Sequence, residues 1–162
     1  MVLSKLLGIA ASIVAPFIGA IPSSILTRRN IEFFNKEIKQ PKWAPPNWIF
    51  GPAWLILYAM MGYSSWRIFS APTSNKKWLS IGLYCSQLLL NWIWSPIFFE
   101  FKRFKTAGIV LLLLDVNVVS LIFSAWFVDR KASLLLLPYL GWISFATALN
   151  WTVCSLNPKY AK

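Results

Sequence analysis

Five long stretches with almost no charged residues constrain this chain more than any other feature. The chain has 162 residues with 16 Lys and Arg and 5 Asp and Glu, and every charge except Asp115 lies outside the stretches 6–27, 43–66, 78–99, 106–128 and 132–158. Each stretch exceeds the roughly 20 apolar residues that cross a hydrocarbon core of about 30 Å. Because lipid offers no partners to backbone groups, segments of this length must be helices. The sequence therefore predicts an all-α membrane protein, a bundle of five transmembrane helices.

The charge clusters also set the expected boundaries. We predict a single transmembrane domain over residues 1–162, with a long loop at 28–46 and spans at about 6–27, 47–68, 78–99, 106–128 and 133–156. The first stretch also resembles a secretory signal, because Lys5 precedes an apolar run with small residues near Gly19. The run continues past Pro22 to a pair of arginines, which favours a span with basic flanks.

The loop 28–46 is the one connection long enough to form structure of its own. Apolar residues such as Phe34 and Ile38 alternate there with charged ones, which predicts a short amphipathic helix on the membrane surface. Six basic residues lie on the side of the amino terminus and the second and fourth loops, and ten lie on the side of the first and third loops and the carboxyl tail. This excess predicts that the second side faces the cytosol.

Composition excludes the active sites with the strongest sequence signals. The chain has no histidine and two cysteines, Cys85 and Cys154, without a CxxC spacing. We therefore expect no metal site, no cofactor and no catalytic residues of the usual zinc, haem or Ser-His-Asp kinds. The net charge of +11 does not indicate nucleic-acid binding, because the Lys and Arg residues flank apolar spans, where they act as anchors.

Two of the ten tryptophans lie deeper than an interfacial belt explains. Trp54 lies six residues past Trp48, about 9 Å further along a helix, and Trp142 lies near the middle of the last stretch. The belt accounts for tryptophans near helix ends. The deeper pair indicates either ordinary helix packing or the wall of a binding site.

A polar stripe accompanies these aromatic residues. Tyr84, Gln87, Asn91 and Ser95 recur at helical spacing on one face of the third span, and Trp142, Ala146 and Asn150 do so on the last. Polar side chains at membrane depth face another helix or a cavity, so the stripe indicates either interhelical hydrogen bonds or a pocket. With the orientation above, amide and aromatic side chains converge in the cytosolic half beneath the loop 28–46, as expected of a small-molecule pocket.

Asp115 is the single charge within a predicted span. A carboxylate near the bilayer centre costs about 2.5 to 3.5 kcal/mol on insertion scales, so it must be protonated, paired or facing polar neighbours. A proton relay would need a chain of such groups. We interpret Asp115 as hydrogen-bonded to another helix, with a functional role as the alternative.

Several motifs together resemble the translocator protein family, also called tryptophan-rich sensory protein or peripheral benzodiazepine receptor. They cover nearly the whole chain in order, and the residues that carry them are Trp43-Ala44-Pro45-Pro46, Phe50-Gly51-Pro52-Ala53-Trp54, Leu57-Tyr58, Met61-Gly62-Tyr63, the run from Gln87 through Asn91, Trp94 and Pro96 to Phe99, Pro138-Tyr139, Trp142, Phe145-Ala146-Thr147 and Leu149-Asn150. The segment Thr27-Arg28-Arg29-Asn30-Ile31 resembles animal members more than bacterial ones. That likeness implies a multi-pass protein of the mitochondrial outer membrane.

The resemblance implies a five-helix bundle, often a homodimer, with a pocket in its cytosolic half for porphyrin, sterol or benzodiazepine-type ligands. Carried onto this chain, the pocket residues would be Trp54, Tyr58, Asn91, Trp94, Trp142, Ala146 and Leu149, with the first loop as lid. The chain departs from the family at two places. The family usually has an Asp near Val110, whereas here Asp115 lies over a turn away, and Trp151 and Ser155 stand where the family's sterol motif has a Tyr and an Arg.

We therefore expect a mitochondrial outer-membrane receptor that binds such ligands and aids their transport, with the lipid bilayer as its environment. The alternative is a light-dependent porphyrin-degrading enzyme that uses Trp54 and Trp142 as reactive aromatics. The absence of histidine and of a carboxylate pair for acid and base catalysis favours the binding protein.

Overall fold

The computed structural model describes residues 2–161, and these fold as helices joined by short connections, without a β-strand. The α-helices are α1 (Val2–Val14), α2 (Phe17–Glu37), α3 (Phe50–Ser70), α4 (Asn75–Ser95), α5 (Phe104–Trp126), α6 (Arg130–Leu135) and α7 (Leu137–Leu156). A π-helical turn, Pro96–Glu100, follows α4, and single 3₁₀ turns, Asn47–Ile49 and Pro158–Tyr160, lie before α3 and after α7. The predicted all-α class is confirmed.

The predicted first span is broken into two helices by Pro16. Proline has no amide hydrogen and crowds the preceding turn, so the helix ends at Val14 and restarts at Phe17. The Pro16 carbonyl at this break accepts a hydrogen bond of 3.2 Å from the Trp92 indole of α4. This bond joins the first helical segment to α4.

The prediction of a loop over 28–46 is wrong in its first half. Helix α2 continues past the two arginines to Glu37, supported by the Glu32–Lys36 pair one turn apart at 2.6 Å. A helix was predicted in this segment, but it is continuous with the first span and its Phe34 and Ile38 are buried in the bundle. A charge cluster does not end a helix, and the chain leaves helical geometry only as it approaches Pro41.

Helix α5 forms the centre of the bundle, with α4 and α7 packed against it, while α1 packs against α3. Its buried face carries Leu111, Leu114, Val118 and Leu121, which join the main apolar core. The approach of α1 to α3 is close because Gly62 has no side chain. A methyl group there would overlap the backbone of Ile13.

Three helical stretches within residues 2–161 are long and apolar enough to cross a membrane: Leu3–Glu37, Phe104–Trp126 and Arg130–Leu156. Helices α3 and α4 are also long enough at 21 residues each, about 31 Å at 1.5 Å per residue. They are more polar because buried serines, amides and tyrosines lie along them. The reduced hydropathy of these two helices thus coincides with the polar interior of the bundle.

The connections between helices are divided between the two ends of the bundle as the alternating topology predicts. At one end Asn157, after α7, bonds the backbone of Lys39 after α2 at 3.0 and 2.9 Å, and Asn30 bonds Glu100. At the other end Arg67 of α3 bonds Asp129 before α6. The first and third connections and the carboxyl tail therefore share one side, which confirms the predicted grouping.

The Arg67–Asp129 pair is bidentate, with Nε and Nη2 donating over 3.0 and 2.6 Å, and Asp129 also caps α6 by accepting from the Ala132 amide at 2.9 Å. The bond from Arg67 holds the pKa of the Asp129 carboxyl below its usual value. A depressed carboxyl pKa stabilises the folded state above the ordinary pKa, and this stabilisation is lost as the pH falls through the lowered value.

Asp129→Asn keeps the helix cap and removes the ion pair, so we expect a loss of about 1 kcal/mol in the free energy of unfolding at pH 7. The difference from wild type should fade below about pH 4. SDS titration in mixed micelles measures it, and a double-mutant cycle with Arg67→Met isolates the pair. Equal stability of wild type and Asp129→Asn at pH 7 would contradict this reading.

Candidate functional site

The polar stripe predicted on the third span faces the bundle interior. Tyr84, Gln87, Asn91 and Ser95 are all buried in α4. Burying such groups is costly unless they find hydrogen-bond partners. Gln87 and Asn91 find such partners on neighbouring helices, and these bonds join α4 to them.

A hydrogen-bond network through Asn91 joins three helices. The Tyr58 hydroxyl of α3 donates to Asn91 Oδ1 over 2.9 Å, and Asn91 Nδ2 donates to the Tyr139 hydroxyl of α7 over 3.1 Å. Tyr139 in turn donates to Gln87 Oε1 over 2.9 Å. Tyr139 and Gln87 have no exposed surface. We call these four residues the Tyr58–Asn91–Tyr139–Gln87 network, and it confirms the interhelical reading of the stripe.

Aromatic rings cover this network on the side of α3 and α7. The Trp54 ring lies 5.1 Å from Tyr58, 6.4 Å from Tyr139 and 6.3 Å from Trp142, measured between centroids. Phe50 and Phe145 pack against Trp142 at 5.7 and 5.6 Å. The two deep tryptophans singled out in the sequence therefore meet edge to face in a single cluster.

Trp94 of α4 is held by a hydrogen bond and by ring stacking. Its indole donates to Asn150 Oδ1 over 3.2 Å, and Asn150 Nδ2 donates to the Phe104 carbonyl over 2.8 Å. Phe98 of the π-helical turn stacks on Trp94 at 5.1 Å and on Phe34 of α2 at 5.2 Å. Phe98 therefore connects the end of α2 to Trp94.

Of the seven residues predicted for the pocket, most surround one apolar core. Tyr58 belongs to this main core, and Trp54, Trp94, Trp142 and Ala146 pack against it, while Asn91 lies in the network at its centre. Leu149 instead packs against a second cluster around Phe34, Phe98 and Phe104. Trp94 packs against both clusters and so connects them.

A cleft of about 250 Å³ opens between α3 and α7. The residues that line it are Ala53, Ile56, Leu57, Pro138, Gly141, Trp142 and Phe145. Trp142 is the one member of the predicted pocket set among them. Pockets for drug-sized ligands hold about 300 to 1,000 Å³, so a flat polycyclic ligand needs more space than this cleft provides.

Four buried polar atoms among the described residues lack a hydrogen-bond partner: the Tyr84 hydroxyl, Nε2 of Gln87, Oδ1 of Asn117 and Nε1 of Trp142. Two of them, Nε2 of Gln87 and Nε1 of Trp142, are N–H donors on residues of the network and the aromatic cluster. An unpaired buried donor costs about 1 to 3 kcal/mol, so native proteins rarely retain one without a reason. Gln87 belongs to the network and Trp142 lines the cleft, so each region holds one residue with an unpaired buried donor.

Asp115 is paired with the neighbouring helix, as interpreted from the sequence. Thr147 of α7 donates to Asp115 Oδ2 over 2.7 Å, and Ser144 donates to Oδ1 over 3.3 Å. Both donors lie on α7, so the carboxyl group joins α5 to α7. Among residues 2–161 no group of three His, Cys, Asp or Glu side chains could hold a metal ion.

Tyr139 is the important residue that was absent from the predicted pocket set. It accepts from Asn91 and donates to Gln87, and no other hydroxyl among the described residues bridges these two amides. A signal for it existed in the sequence, since Tyr139 precedes Trp142 by three positions and Ala146 by seven and so shares their helix face.

Asn91→Leu and Gln87→Leu should differ in their effects on the ligand-free protein. Asn91→Leu orphans the Tyr58 hydroxyl and should lower the free energy of unfolding by about 1 to 2 kcal/mol. Gln87→Leu removes the acceptor of the Tyr139 O–H, but Asn91 still donates to the Tyr139 oxygen and the unpaired Nε2 is removed as well, so the cost should be smaller. SDS titration of both variants tests this order. A larger loss for Gln87→Leu would show that its Nε2 is already bonded.

Comparison with known proteins places the chain among relatives of like length. Residues 12–156 match the TspO/MBR family. The chain is 38% identical over 157 residues to the tryptophan-rich protein TspO of Archaeoglobus fulgidus, covering 94% of this chain and 99% of that protein. It is 40% identical over 119 residues to the translocator protein of Homo sapiens, covering 72% and 70%, and 37% identical over 123 residues to protein CrtK of Rhodobacter capsulatus, covering 75% and 77%. The chain belongs to the TspO/MBR family.

Proposed function

We propose that the protein is a membrane receptor that binds flat hydrophobic ligands of the porphyrin, sterol or benzodiazepine type and aids their transfer. The observation that carries this proposal is the pair of unpaired buried donors, Gln87 Nε2 and Trp142 Nε1. Trp142 packs against Trp54, and so does Tyr139, the hydrogen-bond partner of Gln87. Aromatic faces suit a flat ring system, and two donors suit its carbonyl or carboxylate oxygens.

Ligand entry in this proposal requires the bundle to open between α3 and α7. The cleft there already reaches Trp142, and Trp54 packs against both Trp142 and Tyr139 of the network. The cover is the connection after α2, because Trp43 contacts Phe145 at 5.8 Å and is itself half exposed. Movement of this segment would widen the cleft and bring Trp54, Tyr58, Asn91, Trp94, Trp142 and Ala146 around the ligand, with Leu149 at the rim.

We also propose that the five predicted spans cross the bilayer as a single domain, with the connection after α2 and the carboxyl tail in the cytosol. The support is the ten-to-six excess of basic residues on that side. The proposed location is the mitochondrial outer membrane, on the animal-like segment 27–31, and the proposed assembly is a homodimer, as the family resemblance implies.

Trp142→Phe and Gln87→Leu each remove one of the unpaired donors. Each should weaken protoporphyrin binding by about 1 kcal/mol, or about fivefold in Kd, because one hydrogen bond to the ligand is lost. Porphyrin absorbance during titration in detergent measures Kd. Trp78→Phe is the matched control, since this indole is 60% exposed at the start of α4. Wild-type affinity in both donor variants would refute the donor role.

Light-dependent porphyrin degradation is the second candidate, favoured by the contact between the oxidisable indoles of Trp54 and Trp142. The same samples separate the two functions when they are illuminated. A binding protein gives at most one equivalent of product per chain. Sustained turnover by wild type that is abolished in Trp54→Phe or Trp142→Phe, with Kd within about fivefold of wild type, would establish the enzyme instead.

Cysteine labelling tests the proposed orientation. In a background with Cys85 and Cys154 replaced by Ser, a membrane-impermeant maleimide added from the cytosolic side should modify Lys36→Cys and spare Lys76→Cys. Both positions are exposed and lie at opposite ends of the bundle. The reverse pattern would invert the topology, and labelling of both from one side would contradict the proposed spans.

A further inference from the structure

A second groove lies further along α3 from the cleft, between α3 and α6. It has a volume of about 370 Å³ and lies near the bundle end that holds the Arg67–Asp129 pair. We call it the α3–α6 groove, and the residues that line it are Met60, Tyr63, Arg67, Lys131, Leu134 and Leu135. None of these residues belongs to the proposed porphyrin site.

The two basic residues of the groove retain capacity for an anion. Arg67 uses Nε and Nη2 for Asp129, so part of its fork of five N–H donors remains outside the ion pair. Lys131 is exposed. The end of the bundle that holds the groove carries six basic residues, and Asp129 is the one acidic residue in the connections there. The groove therefore has a net positive potential after the ion pair is counted.

The remaining residues that line the groove are apolar, and they lie further from this end of the bundle than the two basic residues. Met60 lies about two turns before Arg67 on α3, and Leu134 and Leu135 follow Lys131 by one turn on α6. The Tyr63 and Trp66 rings stack at 5.6 Å beside Arg67, as aromatic residues do at a membrane interface. From the helix ends toward the middle, the groove thus changes from cationic to aromatic to aliphatic.

This order matches a phospholipid entering from the bilayer edge, with its charged headgroup outermost and its acyl chain toward the middle. A free phosphate would use only the cationic part of the groove. Basic pockets between membrane helices bind anionic headgroups in this manner, and arginine suits phosphate because its planar fork donates several hydrogen bonds.

We propose that the α3–α6 groove binds one anionic phospholipid. Its phosphate lies between Arg67 and Lys131, and the first part of one acyl chain lies against Met60, Leu134 and Leu135. The inference rests on the membrane insertion that is part of the proposed function, but it does not depend on porphyrin binding.

Native mass spectrometry of the detergent-solubilised full chain tests this site. Phosphatidylglycerol should bind more tightly than phosphatidylcholine with the same acyl chains, because only the first carries a net negative charge. Lys131→Gln should weaken phosphatidylglycerol binding about fivefold, which corresponds to about 1 kcal/mol for one basic residue near an anionic headgroup. Arg130→Gln is the matched control, since Arg130 lies 5.1 Å over the Trp126 ring, outside the groove, and should leave binding unchanged.

Three results would overturn the inference: equal binding of the two lipids, equal losses in Lys131→Gln and Arg130→Gln, or displacement of the lipid by excess inorganic phosphate. Protoporphyrin titration of the same variants keeps the two proposals apart. Lys131→Gln should bind porphyrin as wild type does. A chain that binds phosphatidylglycerol but not porphyrin would refute the proposed function and leave the lipid site standing.

Discussion

Hydrogen bonding among buried side chains is the constraint on which this structure depends. Tyr58, Gln87, Asn91 and Tyr139 lie where no bulk water is available, so a polar atom there is costly unless it finds a partner within the bundle. The partners come from α3, α4 and α7, and this requirement sets how the three helices are rotated toward one another. The apolar contacts around α5 add packing energy, but apolar contacts alone specify orientation less strictly.

The same network gives the site its asymmetry. Asn91 and Tyr139 satisfy each other, whereas Gln87 Nε2 and Trp142 Nε1 have no partner. The ligand-free protein therefore carries a cost at Gln87 Nε2 and at Trp142 Nε1, and in the proposal a ligand with suitable acceptors removes that cost. In the proposed function, this difference in hydrogen bonding between the free and the bound protein is the source of the binding affinity.

The sequence predicted much of the fold because charge and helical spacing report directly on burial. Charge clusters separated the five predicted stretches, although the first is divided into α1 and α2 and the last into α6 and α7. Spacing identified the buried face of α4. The end of α2 was misplaced because arginine and lysine favour helix as well as water, so the helix continued to the approach of Pro41. Two features depend on the offsets between helices: which hydroxyl bonds Asn91, and which apolar cluster Leu149 packs against. Spacing within one helix contains no information on these offsets.

The central claim is that Gln87 offers its free amide to the ligand, and one measurement addresses it directly. The chain has two glutamines, Gln40 and Gln87, so selective ¹⁵N labelling of glutamine gives two side-chain NH₂ groups by NMR, with exposed Gln40 as the internal reference. We predict that saturating protoporphyrin shifts the Gln87 NH₂ signals and slows their exchange with water. Gln87 signals that keep their free-state positions and exchange rates at saturation would contradict the account.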